Sequence, residues 1–554
     1  MNDLDGLPVV FGVTGHRDVR QDDVPSLEAA VTRIFTEFRA AYPATPLLLL
    51  TPLAAGADRL VARVAIALGI RFRVPMPLPE AEYRTDFTAE ENAEFDVLLA
   101  HADAHYELGF AGDTTAENLA EAGRRSRQYA AVGYHIAKVA HVLIALWDGE
   151  VSDARGGTAD VVDYRLFGSL REGTDRTALL DPPPQGAVYH VYARRTNTAA
   201  SAREPGSLRV RTREGDVDVA HDPFRPLYAR IERFNVDRRV LDPATLAASG
   251  RDRLRDTAEK LATHFQRRYR LALDFICATT FAGACCIAVA HDKPPRYELV
   301  VAYSLFILLA FAAYRLANRN AWKDRAIEYR ALEMGLTIQR IWDAVGLDVS
   351  PDDYYLRIQR TELGWLIRDA IRTVHRLSDG RACEPRSGVL EVYDFVAGQV
   401  AFFRNAAERD GRLAERYEIV TNVAFGVGLV LTFLLFLASL VHFGAPNPLA
   451  LAPERVGLWS DRLIRGIAVA TILAAVSHEY AIRRAFRAQA RRYTAILPVY
   501  ERAQALLETS HDRPFDERLN VTRDVAREVG REALAENAEW LLMQRELPIE
   551  LLHV

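Results

Sequence analysis

The chain is poor in cysteine, has charges that nearly cancel, and has no long apolar run in its first half. Only Cys277, Cys285, Cys286 and Cys383 occur in 554 residues. No pair of them has zinc-ligand spacing and no disulfide framework is visible. Three lie in one apolar stretch, where cysteine behaves as a small apolar residue. His101, His105, His135 and His141 have no metal-ligand spacing either, so no metal site is expected. Lys and Arg number 69 against 74 Asp and Glu, which removes bulk electrostatics as a reason to expect nucleic-acid binding. Met1–Asp5 lacks a basic n-region and an apolar h-region, so no cleaved signal peptide is expected.

What is present divides the chain. Four apolar stretches lie in its second half: Leu271–Ala290, Leu299–Ala317, Ile419–Phe443 and Leu463–Ile482. A span needs roughly 20 apolar residues to cross about 30 Å of hydrocarbon, and each stretch approaches or meets that length. Arginines crowd one side of each hairpin: Arg267, Arg268 and Arg270 precede the first stretch and Arg483, Arg484 and Arg487 follow the last. The connectors between paired stretches carry fewer. Retention of positive charge on the cytoplasmic side then predicts a multi-pass membrane protein with both termini cytoplasmic. The two hairpins share a pattern, each a basic helix, two spans and another basic helix. Tyr354–Arg376, Glu391–Arg412 and Val521–Gln544 read as further helices on their apolar periodicity.

The first half is punctuated by three glycine turns that each follow an apolar strand. Val9–Phe11 runs into Gly12, Thr14, Gly15, His16 and Arg17, with a helix expected near Pro25. Leu47–Leu50 runs into Gly56 and Asp58, which opens a helix reaching Leu68. Val142–Leu146 ends at Trp147 and Asp148, and Gly156, Gly157 and Thr158 then open another helix. A strand, glycine loop and helix expose backbone N–H groups at a positive helix end, which suits phosphate. Arg17 adds a bidentate phosphate donor. Asp58 is either a helix N-cap or a carboxylate for a ribose hydroxyl. Three such loops at the carboxyl ends of parallel strands converge on one crevice. The expected fold is an α/β Rossmann-like doubly wound parallel sheet followed by an all-α membrane domain with four transmembrane helices.

The order Gly-Val-Thr-Gly-His-Arg, Ala-Gly-Ala-Asp-Arg, Leu-Trp-Asp-Gly, Gly-Gly-Thr-Ala resembles the SLOG superfamily, which includes DprA-like and LOG-type nucleotide-binding domains. The resemblance covers roughly residues 7–165 and extends toward Arg195 through a strand at Ala187–Tyr192. Val396–Arg404 and Leu534–Trp540 resemble the SLATT membrane domain. The expected division is a SLOG-like domain over 1–200, an extension or linker over 201–250, a first SLATT-like hairpin unit over 251–345, a cytosolic helical segment over 346–405, and a second hairpin unit with a C-terminal helix over 406–554.

The resemblance implies a sensor of a nucleotide-derived ligand, of ADP-ribose type or a cyclic nucleotide, acting as a ligand-gated pore or membrane-disrupting effector in bacterial antiphage defence. It implies no required cofactor, a homo-oligomer, the lipid bilayer and an upstream signal-producing enzyme as partners, and no nucleic acid. One departure bears on chemistry. LOG enzymes carry Pro-Gly-Gly-x-Gly-Thr-x-x-Glu, and here Val161 stands at the glutamate position while Asp160 falls one residue short. With no carboxylate there, N-glycosidic cleavage loses its expected acid–base group, and no catalytic residue is assigned. The alternative is a membrane-anchored nucleotide-processing enzyme of phosphoribohydrolase or NADase type, with Glu80, Glu82 and Asp86 in a lid over Pro77–Phe95.

Overall fold

The computed structural model describes residues 6–121, 123–152, 154–168, 186–197, 203–246, 250–290, 296–347, 349–351, 354, 385–442 and 453–546. The expected helix Tyr354–Arg376 lies almost wholly outside them, as do Cys383 and the proline run Pro182–Pro184. The chain divides into two units, one holding residues 1–257 and 350–380, the other 258–349 and 381–554.

Among the described residues of the first unit, eight strands form one sheet in the order β4-β3-β2-β1-β5-β6-β7-β8. They are β1 Val9–Gly15, β2 Leu47–Leu50, β3 Arg71–Met76, β4 Ala104–Glu107, β5 Val142–Trp147, β6 Ala187–Tyr192, β7 Leu208–Arg211 and β8 Asp216–Val217. The first six are mutually parallel. β7 and β8 add an antiparallel edge. The central strands are uniformly buried, as expected when helices cover both faces. Those helices include α1 Val24–Ala41, α2 Ala57–Ala67, the short α3 Glu80–Tyr83, α4 Ala89–Leu99, α5 Arg124–Val139, α6 Thr158–Phe167 and α7 Arg225–Arg238.

Phe11 anchors one face, edge-on to Phe35 and Phe38 of α1 at centroid distances of 5.0 Å. α7, within the expected extension 201–250, packs here too. Its Tyr228 meets Phe38, and the Asn235 side chain accepts from Leu7 N–H and donates to Leu7 C=O. The charged β7–β8 pair is half exposed and tied by Arg211–Asp216. The chain runs outward from β1 to β2, β3 and β4 on one side and from β5 to β6 on the other. The topological switch point therefore lies between β1 and β5.

The second unit is helical. Among the described residues, four helices are long and apolar enough to cross a membrane, lying within Asp252–Val289, Tyr297–Ala344, Arg386–Ser439 and Gly457–Thr509. The protein is a membrane protein on this composition. α8 is Gly250–Val289, α9 Tyr297–Arg319, α10 Trp322–Ala344, α11 Pro385–His442, α12 Pro453–Arg483, α13 Phe486–Thr509 and α14 Phe515–Glu546. At 1.5 Å per residue α11 extends about 87 Å, nearly three times a hydrocarbon core. Its amino-terminal half is therefore a helical extension outside the bilayer.

Both hairpins break at one place in their pattern. Ala321 separates α9 from α10 at φ +47°, and Ala485 separates α12 from α13 at φ +52°. Each is followed by an aromatic residue, Trp322 or Phe486. Beyond the breaks, the Trp342 indole donates to Ala526 C=O at 2.8 Å, and a side chain on Gly530 would strike that ring.

His141, just before β5, is the clearest pH-sensitive group in the sheet core. Its Nδ1 accepts from Val10 N–H at 2.8 Å. Burial first, and the nearby Arg165 guanidinium second, push its pKa down to about 3. The unfolded chain takes up a proton near pH 6.5 that the folded chain refuses, so stability is lost as pH falls from about 6.5 toward 3, by up to about 1.4 kcal/mol per unit. Urea unfolding of a fragment comprising residues 1–245 should show this loss, and His141→Gln should show less of it. An equal acid slope in both proteins contradicts the assignment.

Candidate functional site

A cleft of about 450 Å³ opens at the carboxyl ends of β1 and β5, a size typical of small-molecule sites. β1 delivers Val13, Thr14 and Gly15 to its floor, with His16 and Arg17 following. The turn after β2 contributes Pro52 and Ala54, and α2 contributes Asp58. β5 ends in Trp147 and Asp148, and Gly156, Gly157 and Thr158 lead into α6. Of the residues expected from the sequence, Thr14, Gly15, His16, Arg17, Asp58, Trp147, Asp148, Gly156, Gly157 and Thr158 line this cleft.

Gly12 and Gly56 do not line it. Gly12 lies within β1, and a Cβ there would stand 2.5 Å from Ile136 on α5 and 2.9 Å from Ala140 just past its end. Its role is strand–helix packing. Gly56, at φ +83°, precedes α2, and a Cβ would collide with the backbone carbonyls of His16 and Arg17. Its absence lets Ala57 N–H reach His16 C=O at 3.0 Å. Gly56 thus brings the amino end of α2 against the β1 loop without facing the cleft. Gly156, at φ +77°, lines the cleft and also brings the turn before α6 against α5, since a Cβ would stand 2.8 Å from Ala130 N.

The α6 amino terminus is a donor site. Its N-cap residue, Gly157, supplies no side-chain cap, and Gly157, Thr158 and Ala159 line the cleft, so the positive helix end faces it. Asp160 is withdrawn from it. That carboxylate accepts from Tyr134 Oη at 2.7 Å and from Gly156 N–H at 2.8 Å, and so braces the glycine turn. Val161 does line the cleft. The residue after Asp160 therefore presents an aliphatic side chain to the cleft.

Asp58 is the most perturbed group here. It is buried, and desolvation drives its pKa up to about 7 against the opposing pull of Arg17 and a hydrogen bond from the Ala54 backbone. His16 is also buried. Its Nε2 lies 3.1 Å from Asp148 N and 3.2 Å from Asp148 Oδ2. One ring nitrogen cannot accept from the first and donate to the second at once. Burial holds the His16 pKa below its ordinary value despite Asp148, so the neutral ring is favoured at neutral pH.

Several wall residues were not legible in the sequence. Tyr129, Val132, Gly133 and Ile136 of α5 line the cleft at the spacing of one helix face. The Arg17 guanidinium lies over the Tyr129 ring at 4.9 Å. The Tyr129 hydroxyl donates to Asp86, which also holds Arg125 together with Glu82. Glu82, Asp86 and Arg125 are thereby engaged with one another outside the cleft. Glu80 pairs with Arg84 at 2.7 Å. Arg124 and Arg127 pair with Asp113. Arg195, beyond β6, completes the rim.

Among the described residues no group of His, Cys, Asp and Glu could hold a metal ion. His135 meets Tyr106 Oη at 2.9 Å instead. No protein-family model and no curated protein matches the chain.

Asp58 yields a test with a worked sign. Its folded pKa lies above the unfolded value, so the folded state holds the proton more tightly. Stability is full below about pH 4 and falls as pH rises through 7, at a cost on the order of 4 kcal/mol when the group is ionised. Asp58→Asn removes the cost. The substituted fragment 1–245 should melt higher than the parent at pH 8 and close to it at pH 4. Destabilisation at both pH values contradicts this account of Asp58.

Proposed function

We propose that the chain is a nucleotide-sensing membrane effector, with a SLOG-like domain in its sheet unit and a SLATT-like domain in its helical unit. A ligand of ADP-ribose type or a cyclic nucleotide occupies the cleft. Its phosphates take the uncapped N–H groups of α6 and the guanidinium of Arg17, and a ribose hydroxyl takes Asp58. The cleft's place at the switch point between β1 and β5 carries this reading, because three glycine-bearing turns bring donors there from separate parts of the chain. Val161 favours binding over cleavage, since an aliphatic side chain can neither give nor take a proton.

The output in this proposal is reorganisation of the four spans within a homo-oligomer of the bacterial inner membrane, with both termini cytoplasmic, so that ions flow in response to a signal made by an upstream enzyme in antiphage defence. The ligand drives this only through different affinity for two states of the protein.

A membrane-anchored nucleotide-processing enzyme is the second reading. Asp58 favours it, because a buried carboxyl held near pH 7 inside a cleft is suited to proton transfer.

Gly157→Glu tests whether the cleft is the sensing site. Gly157 has φ −74° and ψ 168°, ordinary for any residue, and a Cβ would stand 3.1 Å from Ala154 C=O. The variant should fold while placing charge and bulk where phosphate meets backbone. In liposome flux assays with the activating nucleotide it should lose at least about tenfold in response. An unchanged response in folded Gly157→Glu protein rejects the site.

A further inference from the structure

The helical unit holds a cluster of cations where its spans meet their extensions, and it is drawn from both hairpins. Arg270 stands at the start of the first span on α8, and Arg484 directly follows α12, the last span. Asp274, one turn along α8 from Arg270, accepts from the Tyr480 hydroxyl, and Arg484 lies over the Tyr480 ring, which brings Arg270 and Arg484 to one level. Arg484 and Arg409 of α11 oppose the charge on Arg270, and Asp410 favours it. Lys323, just past the Ala321 break, is attracted by Asp324 and, against it, repelled by Arg483.

The neighbouring carboxylates are committed elsewhere. Arg409 binds Asp410 at 2.8 Å, Arg483 binds Glu479 at 2.7 Å and Asp274 accepts from the Tyr480 hydroxyl at 2.8 Å. Arg270 and Arg484 form no ion pair among the described residues. Arg484 lies instead over the rings of Tyr480 and Phe486 at 5.8 and 5.4 Å.

Aromatic residues mark the level of this cluster. Tyr417 packs on Tyr480 at 5.1 Å and stacks on Phe486 at 5.7 Å. Trp322 carries Arg268 over its ring. Such rings settle at the headgroup layer of a bilayer, next to the hydrocarbon. Two like charges from separate hairpins at that depth repel unless an anion lies between them, and a phosphate can accept from both guanidinium forks at once.

We propose that Arg270 and Arg484 bind the phosphate of an anionic phospholipid headgroup, which ties the first hairpin to the second. The site rests on the reading of the four helices as spans, and it is independent of what the sheet unit binds. The bound lipid makes the association of the hairpins depend on membrane composition.

The test uses the full chain in phosphatidylcholine nanodiscs, with and without phosphatidylglycerol, or with inorganic phosphate added to the phosphatidylcholine discs. Thermal unfolding and mass spectrometry of retained lipid are read together. Phosphatidylglycerol should raise the melting temperature and be retained selectively, and inorganic phosphate should do neither. Arg270→Gln and Arg484→Gln should each weaken retention by about tenfold, and Arg484→Lys should retain an intermediate amount. Arg487→Gln, which removes an exposed partner of Glu418, should behave as the parent.

Stabilisation by inorganic phosphate alone overturns the assignment to lipid. Equal losses in all the glutamine variants overturn the site in favour of diffuse surface charge. No selectivity for phosphatidylglycerol in the parent overturns the proposal outright. Should a glutamine variant fail to fold, Arg484→Lys still decides, because retention equal to the parent contradicts a fork-bound phosphate.

Discussion

The sheet unit depends on how closely its loops approach one another at the carboxyl end of β1. Ala57 N–H reaches His16 C=O only because Gly56 has no side chain to meet the carbonyls of His16 and Arg17. Gly15 in turn leaves room for the Ala57 methyl. Gly156 lets the turn before α6 lie against the backbone of α5. These approaches bring two helix amino ends to one place, and the cleft is the space left between them. Any side chain at these glycines would push the donors apart before it touched a ligand.

The same crowding accounts for the electrostatics. Asp58 is drawn from solvent by the turn that positions it, and its proton affinity rises as a result. A buried carboxyl with an elevated pKa lowers stability at neutral pH, and folded proteins keep such groups mainly where function uses them. Asp160 has a structural use. Held by Tyr134 and by Gly156 N–H, it is spent on bracing the turn.

Much of this was legible in the sequence because its signals are local. β2 and β5 are unbroken apolar runs, β1 opens with Val9–Phe11, and the helix starts at Val24, Ala57 and Thr158 follow turn-forming residues. The spans declared themselves by length and composition. β4 did not, because Ala104–Glu107 is short and exposes His105 and Glu107 at a sheet edge. β7 and β8 carry so much charge that they read as an extension. Gly12 looked like a loop glycine, yet its constraint comes from Ile136, more than a hundred residues away. Tyr129 was invisible for the same reason, since its meeting with Arg17 exists only after α5 packs. The breaks at Ala321 and Ala485 contradict propensity, because alanine is the strongest helix former and seldom adopts positive φ.

The central claim is that the cleft binds a nucleotide without consuming it. The most direct measurement takes the fragment of residues 1–245 with a panel containing NAD, ADP-ribose, cyclic ADP-ribose and cyclic dinucleotides, follows thermal shift, and recovers the bound compound for mass spectrometry. A ligand that stabilises the fragment and returns intact is the result expected of a sensor. A ligand returned cleaved would make the sheet unit an enzyme, and a panel with no stabilising member would contradict nucleotide recognition by this cleft.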